Sequence, residues 1–198
     1  MPSRTALTGL SLLTLAVLSF PPAVAGHTPG PGPAGAWTLD PVRSHVGFTV
    51  TKLGFSDVHG EFRDFRGDVR YDPLRPENSS IRWHVGVASV KTDAADRDSS
   101  LQAPEYFDAA RFPHLTFESR RVRSLDGGRL EVAGDITIRG QTRPLSIIAA
   151  PIAGGGGFDT RFEINRYDFG VAGGRVMGRL IGRTVRVHLI ARAEEGTR

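Results

Sequence analysis

The sequence predicts an all-β domain, an antiparallel closed barrel of about eight strands with one short helical insertion near residues 96–111. Apolar and polar residues alternate with a period of two in several segments, and turn-forming residues separate those segments. Closing the sheet would remove its exposed edges and cover its apolar face. A strand with one dry face and one wet face is typical of an antiparallel sheet.

The alternation is clear in the first long strand, where Val46, Phe48 and Val50 share one face and polar residues or glycine occupy the other. The same period recurs in segments 81–87, 130–138 and 185–191, and a further strand is expected at 145–149. We therefore expect the apolar residues of each segment to face the barrel interior.

Turn residues lie between the predicted strands. Asp72-Pro73, Asp126-Gly127-Gly128 and the glycines at 154–157 favour tight turns. One stretch does not follow the period of two. Residues 96–111 suit short helical turns, and Pro104 is expected at a helix start.

The first 36 residues are predicted to lie outside the barrel. Residues 6–20 are apolar and precede Ala23-Val24-Ala25, a small-residue cleavage pattern, so residues 1–25 are expected to be a signal peptide cleaved after Ala25. Residues 26–36 are rich in Gly and Pro and are expected to form a linker, followed by the domain at 37–195. The mature protein would be exported, with no membrane span.

Composition argues against several classes of function. The 198 residues contain no cysteine, which excludes disulfides, thiol nucleophiles and cysteine-ligated metals. The net charge is only +4, and the basic cluster at 120–123 lacks the interleaved aromatic residues of a nucleic-acid surface. His45, His84 and His188 show no ligand spacing and fall on the polar faces of their strands. We expect no catalytic residue, metal, cofactor or nucleic-acid partner.

The interior of such a barrel can be a filled core or a ligand cavity, and alternation alone leaves both open. Phenylalanine is the most abundant aromatic residue, with 11 Phe against three Tyr and two Trp. Rings without a polar group suit a tunnel for a hydrocarbon ligand. A filled barrel with a structural or stress-protective role is the alternative.

Several sequence blocks resemble those of the YceI family. The blocks are Trp37-Thr38-Leu39-Asp40-Pro41, VGFTVTKLGFSDVHGEF at 46–62, Arg97-Asp98, Tyr106-Phe107-Asp108, Phe112-Pro113, GDITIRGQTRP at 134–144 and INRYDFG at 164–170. They occur in the order of the family and extend from residue 37 to about 193. The resemblance implies a periplasmic, lipocalin-like barrel that binds an isoprenoid chain in an apolar tunnel.

The sequence departs from the family pattern at three positions. Arg43, Lys52 and Ser100 stand where the family usually has histidine. A role of those histidines with a head group or a metal is therefore not carried over, although Arg43 and Lys52 keep positive charge and hydrogen-bond donors.

The expected partner is a long-chain isoprenoid lipid, a quinone or polyprenyl phosphate, which the protein would transport or sequester. A tail of ~40 carbons at ~0.3 kcal/mol per heavy atom would contribute ~12 kcal/mol without a charged anchor. The residues expected to line the tunnel are Val46, Phe48, Val50, Trp83, Val85, Ile136, Ile138, Val187 and Leu189. Those expected to narrow or cap it are Phe62, Phe107, Phe112, Phe117, Phe162 and Phe169.

Arg43 and Lys52 are expected to contact the polar head of the lipid. An alternative from another class is a periplasmic enzyme or redox accessory protein that acts on a bound quinone. A homodimer is also left open.

Overall fold

The computed structural model describes residues 34–194, which form one curled sheet of eleven antiparallel strands and one α-helix. The strands are β1 (Gly35–Thr38), β2 (His45–Lys52), β3 (Ser56–Phe62), β4 (Phe65–Tyr71), β5 (Ser80–Gly86), β6 (Val90–Lys91), β7 (His114–Ser124), β8 (Leu130–Ile138), β9 (Gln141–Pro151), β10 (Gly157–Asn165) and β11 (Ile181–Arg192). The helix is α1 (Ala95–Gln102), and short 3₁₀-helices occupy Pro76–Asn78, Val87–Ser89, Asp126–Gly128, Arg166–Phe169 and Met177–Leu180. The predicted signal peptide, linker residues 26–33 and domain residue 195 lie outside the described residues.

The sheet curls so that the segment after its first strand, β1, meets the end of its last strand, β11. The strand order is β1-β4-β5-β7-β8-β9-β10-β11-β2-β3-β6. Beyond β1, Leu39 forms a bridge with Ala193, which follows β11, and the Asp40 N–H donates to the Arg192 carbonyl oxygen at 2.8 Å. These contacts bring the β1 edge against β11, so the predicted all-β barrel class is confirmed.

The strand number exceeds the prediction of about eight. Two of the additional strands are β1 and β6, which are only four and two residues long. A period of two is recognised over four to eight residues, so β1 only reaches the minimum length and β6 is too short to show it. They pair with the ends of β4 and β3, respectively.

The predicted alternation appears directly in the burial of the strands. Gly67, Val69 and Tyr71 of β4 are buried, and the residues between them are exposed. The predicted turns are also present, with Asp126–Gly128 between β7 and β8 and the glycine turn between β9 and β10. Each strand therefore presents one face to a common interior.

Gly134 allows β8 to approach β7 closely. A Cβ at this position would overlap the Glu118 carbonyl oxygen and lie 2.8 Å from the Phe117 ring. The pairing of β7 with β8 shifts register between Ser119 and Arg121, where an irregularity bends the strand. A side chain at 134 would therefore separate the two strands at this bend.

The helical insertion is shorter than the predicted span of 96–111. Helix α1 ends at Gln102, and turns rather than a helix follow it. The expectation of a helix start at Pro104 is wrong, because residues 104–107 form turns. Helix α1 ends before the proline, since the residue before a proline is disfavoured in the helical conformation and Ala103 is extended, with ψ of 162°. Among the described residues, no helix is long and apolar enough to cross a membrane.

Asp98 connects α1 to the barrel. Its buried carboxylate accepts hydrogen bonds from the Thr92 backbone N–H at 2.7 Å and from the Thr92 hydroxyl at 2.6 Å. The Lys91 ammonium lies 3.6 Å away. The Thr92 hydroxyl is the main cause of a lowered pKa at Asp98, and the Thr92 N–H and Lys91 act in the same direction while burial opposes them.

Arg166 connects β10 to the segment that precedes β11. Its buried guanidinium donates to the carbonyl oxygens of Gly182, Val171, Ala172, Gly178 and Ile181 at 2.6–2.9 Å, and to the Tyr167 hydroxyl at 3.0 Å. These bonds use the donors on all sides of the planar group. One side chain thereby holds the chain from 171 to 182 in place over one end of the barrel.

We expect Asp98→Asn to lower the melting temperature by a few degrees near neutral pH. Because the folded pKa of Asp98 lies below its ordinary value of 3.8, its contribution is present above that value and is lost as pH falls through the folded pKa. The difference between wild type and variant should be constant above about pH 5 and should shrink below about pH 4. Thermal denaturation followed by circular dichroism across this range measures it.

Asp96→Asn is the matched control, because Asp96 lies in the same helix turn but is exposed. It should leave the melting temperature nearly unchanged. An equal effect of both substitutions at every pH would show that the Asp98 contacts do not stabilise the fold.

We expect Arg166→Met to lower the free energy of unfolding by about 2–4 kcal/mol, since several buried carbonyl oxygens lose their donor. The free energy of unfolding of Arg166→Lys should lie between those of wild type and Arg166→Met, because an ammonium has three donors and no planar geometry. Urea denaturation measures both. Arg161→Met on the exposed side of β10 is the control and should stay within about 0.5 kcal/mol of wild type. A wild-type value for Arg166→Met would refute this role.

Candidate functional site

The barrel interior holds a cavity of about 690 Å³. Every strand except β6 contributes side chains to its wall, together with α1 and the segments 103–107 and 171–177. This volume lies within the usual range of small-molecule sites. The interior is therefore open space lined by side chains, which argues against the filled-barrel alternative.

The wall contains nearly all of the residues that the sequence predicted for the tunnel. Those that line the cavity are Val46, Phe48, Val50, Lys52, Phe62, Trp83, Val85, Phe107, Phe117, Ile136, Ile138, Phe162, Phe169, Val187 and Leu189. They come from β2, β3, β5, β7, β8, β10 and β11 and from the segments next to the helices. Their contact with a ligand stays a prediction.

Phe112 and Arg43 do not line the cavity. The Phe112 ring packs over the turn at Gly140, and the Arg111 guanidinium lies 5.2 Å from its centroid. Arg43 pairs with Asp40 and donates to the Ala193 carbonyl oxygen at 2.6 Å, next to the bridge between the chain ends. Both residues stabilise loops, because neither belongs to the alternating face of a strand.

The sequence reasoning missed part of the wall. Phe158 and Ile164 of β10 have the same parity as Phe162, and Val185 of β11 has the same parity as Val187. Extending the period of two by one or two steps along the same strands would have found them. Leu101 of α1 also lines the cavity, and no strand pattern could have indicated it.

One end of the cavity, the Trp37 end, is aromatic. Tyr71 and Phe158 meet edge to face with centroids 5.6 Å apart. Trp37 is 3% exposed, and its Nε1 is the one enclosed side-chain polar atom without a hydrogen-bond partner within residues 34–194. Burial, followed by the charge of Asp72, raises the pKa of Tyr71. The surroundings at this end therefore disfavour a charged group.

The opposite end, the Lys52 end, combines apolar and basic groups. Lys52 at the end of β2 and Ile181 at the start of β11 are paired in register, and both line the cavity. Buried Phe169 and Val171 pack with Ile138 beside them. The Gly173 N–H donates to the Glu105 carbonyl oxygen at 2.8 Å, which connects the two loop segments at this end.

Lys52 differs from the other charged residues of the wall. Arg166 is saturated by carbonyl oxygens, Arg97 pairs with Asp93, and Arg70 and Glu105 are exposed. Lys52 is half-buried, and its ammonium has no hydrogen bond or ion pair among the described residues. It is therefore available to a polar or anionic group at the mouth of the cavity.

The histidines that the sequence predicts on the polar strand faces, and the arginines of the basic cluster at 120–123, lie outside the cavity wall. His45 and His188 meet edge to face at 6.1 Å, and His188 Nε2 lies 2.9 Å from the Asp159 carboxylate. Within residues 34–194, no three histidine, aspartate or glutamate side chains form a group that could hold a metal ion. In the basic cluster at 120–123, Arg120 and Arg123 form ion pairs with acidic side chains of β8.

Comparisons with solved structures agree with this architecture. BcnA of Burkholderia cenocepacia aligns with a TM-score of 0.71 at 24% identity, over 77% of this chain and 99% of that chain. A polyisoprenoid binding domain from Saccharophagus degradans, implicated in plant cell wall breakdown, aligns with a TM-score of 0.60 at 13% identity, over 82% and 100% of the two chains. These likenesses concern the fold.

Sequence comparisons are more specific. A UPF0312 protein of Azotobacter vinelandii is 32% identical over 168 residues, which cover 80% of this chain and 86% of that protein. A UPF0312 protein of Vibrio cholerae is 33% identical over 155 residues, which cover 73% and 80% of the two chains. The family model of the YceI-like domain matches residues 37–193. The chain therefore belongs to the YceI-like domain family.

Proposed function

We propose that this protein binds an isoprenoid lipid in the barrel cavity and transports or sequesters it in the periplasm. The observation that carries the proposal is the predominantly apolar lining of a cavity that runs through the barrel interior. A wall of this kind offers few directional contacts to a polar substrate, whereas it removes the surface of an enclosed prenyl chain from water. The polyisoprenoid binding domain with the same fold supports the choice of ligand.

The cavity volume bounds the length of chain inside. At about 30 Å³ per non-hydrogen atom, the 690 Å³ hold about 23 atoms, or between four and five isoprene units. At ~0.3 kcal/mol per atom they contribute ~7 kcal/mol, a dissociation constant of about 10 μM. The enclosed part is thus smaller than the ~40 carbons assumed from the resemblance, so the rest of a longer chain would extend beyond the cavity and contribute little.

The polarity of the two ends favours one orientation. The Trp37 end is dry, and even its indole N–H lacks an acceptor, so a charged head there would lose its hydration without compensation. Lys52 at the other end offers an ammonium that has no partner within residues 34–194. We therefore expect the prenyl chain to point toward Trp37 and the head to lie near Lys52.

The polar side chains of the cavity wall favour binding over catalysis. The Thr160 hydroxyl donates to the Ile148 carbonyl oxygen at 2.8 Å, and Arg166 is occupied by the segment it holds. Buried polar groups committed to the fold in this way are not free to transfer protons to a ligand. We therefore propose a carrier rather than an enzyme acting on a bound quinone.

We expect Val187→Trp to weaken binding of a prenyl lipid by about 10- to 100-fold. Val187 projects from the middle of β11 into the cavity, opposite Phe48 and Phe162 in register, and an indole there would displace roughly five to ten ligand atoms. Native mass spectrometry with geranylgeraniol measures the bound fraction at increasing lipid concentration.

The matched control is Thr184→Trp, because Thr184 lies on the same strand but is exposed. It should bind like wild type, and both variants should keep the β-sheet circular dichroism spectrum. If the wild-type protein takes up no prenyl lipid over this range, the proposed function is wrong.

Periplasmic location gives a separate expectation. The N-terminal apolar run and the Ala23-Val24-Ala25 pattern support export with cleavage after Ala25. N-terminal sequencing of the protein from a periplasmic extract should begin at Gly26, and Ala25→Leu should accumulate the uncleaved chain because the site requires a small residue. Recovery of full-length protein in the cytoplasm only would contradict this location.

A further inference from the structure

Exposed apolar side chains are concentrated at the Lys52 end of the barrel. The turn between β2 and β3 carries Leu53 and Phe55, which is 82% exposed. The segment before β11 carries Val176, which is 73% exposed, together with Met177 and Leu180. The Leu53 N–H donates to the Leu180 carbonyl oxygen at 2.7 Å, so the two segments are neighbours. We call this set of five side chains the mouth rim.

The mouth rim adjoins the cavity directly. Met177 is 47% exposed and also lines the cavity, so the cavity reaches the surface at this residue. Lys52 and Ile181, which line the cavity, are the chain neighbours of Leu53 and Leu180. A chain leaving the cavity here would pass between apolar side chains already in contact with solvent.

Large exposed apolar residues elsewhere on the described surface are scattered. Val42, Leu74, Leu125 and Ile148 belong to four separate loops or strands. Single exposed apolar residues are ordinary, whereas a group beside a binding cavity indicates an interaction surface.

The charge around the mouth rim is positive. Lys52, Arg175, Arg179 and Arg183 have no ion pair with a carboxylate among the described residues, and Arg183 lies 5.6 Å from the Tyr167 ring. The nearby acidic groups are Asp57, which pairs with Arg186 at 2.6 Å, Asp168, which accepts a hydrogen bond from Asn165, and exposed Glu105. The basic groups are therefore in excess.

We propose that the mouth rim docks on a membrane surface containing anionic phospholipids, which lets the lipid pass between bilayer and cavity without crossing water. Apolar side chains that enter the headgroup region and basic side chains beside them are the two components of peripheral membrane binding. A second copy of the chain fits less well, because a two-fold interface would place the same four cations against each other. The role of docking in lipid transfer rests on the proposed function, whereas vesicle binding itself can be measured independently of that function.

The test is flotation of the full exported protein with vesicles of phosphatidylcholine alone and of phosphatidylcholine with phosphatidylglycerol. Wild type should bind the anionic vesicles about tenfold or more better, and the difference should fall with added salt. Phe55→Ser with Val176→Ser should weaken that binding by at least about tenfold. Arg175→Gln with Arg179→Gln should weaken it by about tenfold for anionic vesicles only.

The controls remove the same side-chain types at other sites. Leu74→Ser removes a 90% exposed apolar residue from the turn between β4 and β5, and Arg121→Gln removes an exposed cation from β7. Both should bind vesicles like wild type. Equal losses in rim and control variants, or binding independent of phosphatidylglycerol, would overturn the proposal, as would a dimer in sedimentation that Phe55→Ser dissociates.

A second measurement separates this inference from the proposed function. The rim variants should bind geranylgeraniol supplied from solution as wild type does, but should extract it from vesicles about tenfold more slowly. Normal lipid binding without vesicle binding by wild type refutes docking alone. Vesicle binding without any lipid uptake refutes the proposed function alone.

Discussion

The central constraint on this molecule is that a sheet curled onto itself must send half of its side chains into one shared space. The bridge between Leu39 and Ala193 fixes that curvature by joining the first and last parts of the fold. The width of the barrel is then set by the backbone, and the side chains of opposite walls do not fill it. Alternation makes most of the inner face apolar, so the leftover space is largely a hydrocarbon environment.

Buried polar side chains fix the parts of the chain that lie outside the sheet. Away from the strands, Asp98 holds α1 against β6 and Arg166 holds the segment 171–182 at the Lys52 end. Both groups are buried with their hydrogen bonds satisfied within the fold, which makes the local arrangement specific. The entrance region therefore has a defined shape although it contains few strand hydrogen bonds.

The period of two accounts for most of what the sequence could predict. Val46, Phe48 and Val50 illustrate this, because parity alone places a side chain inside or outside a barrel. Phe112 and Arg43 lie in loops, where hydrophobicity or charge does not determine direction, and neither lines the cavity. Whether the remaining wall residues contact a ligand stays a prediction.

The period of two does not predict where the helix ends or which loops come into contact. The helix ends before Pro104 because the proline restricts Ala103, whereas proline is also common at the first position of a helix, which is the position that the sequence predicts for it. The grouping of Phe55 with Val176 depends on a pairing between residues distant in sequence, and no local pattern encodes it.

Both tryptophans of the chain, Trp37 and Trp83, form part of the cavity wall, and each is almost fully buried. Indole emission depends on the polarity and packing around the ring, and in this chain all of that emission arises from the cavity. The protein thus carries an intrinsic optical reporter of what occupies its interior, with no tryptophan elsewhere to dilute the signal.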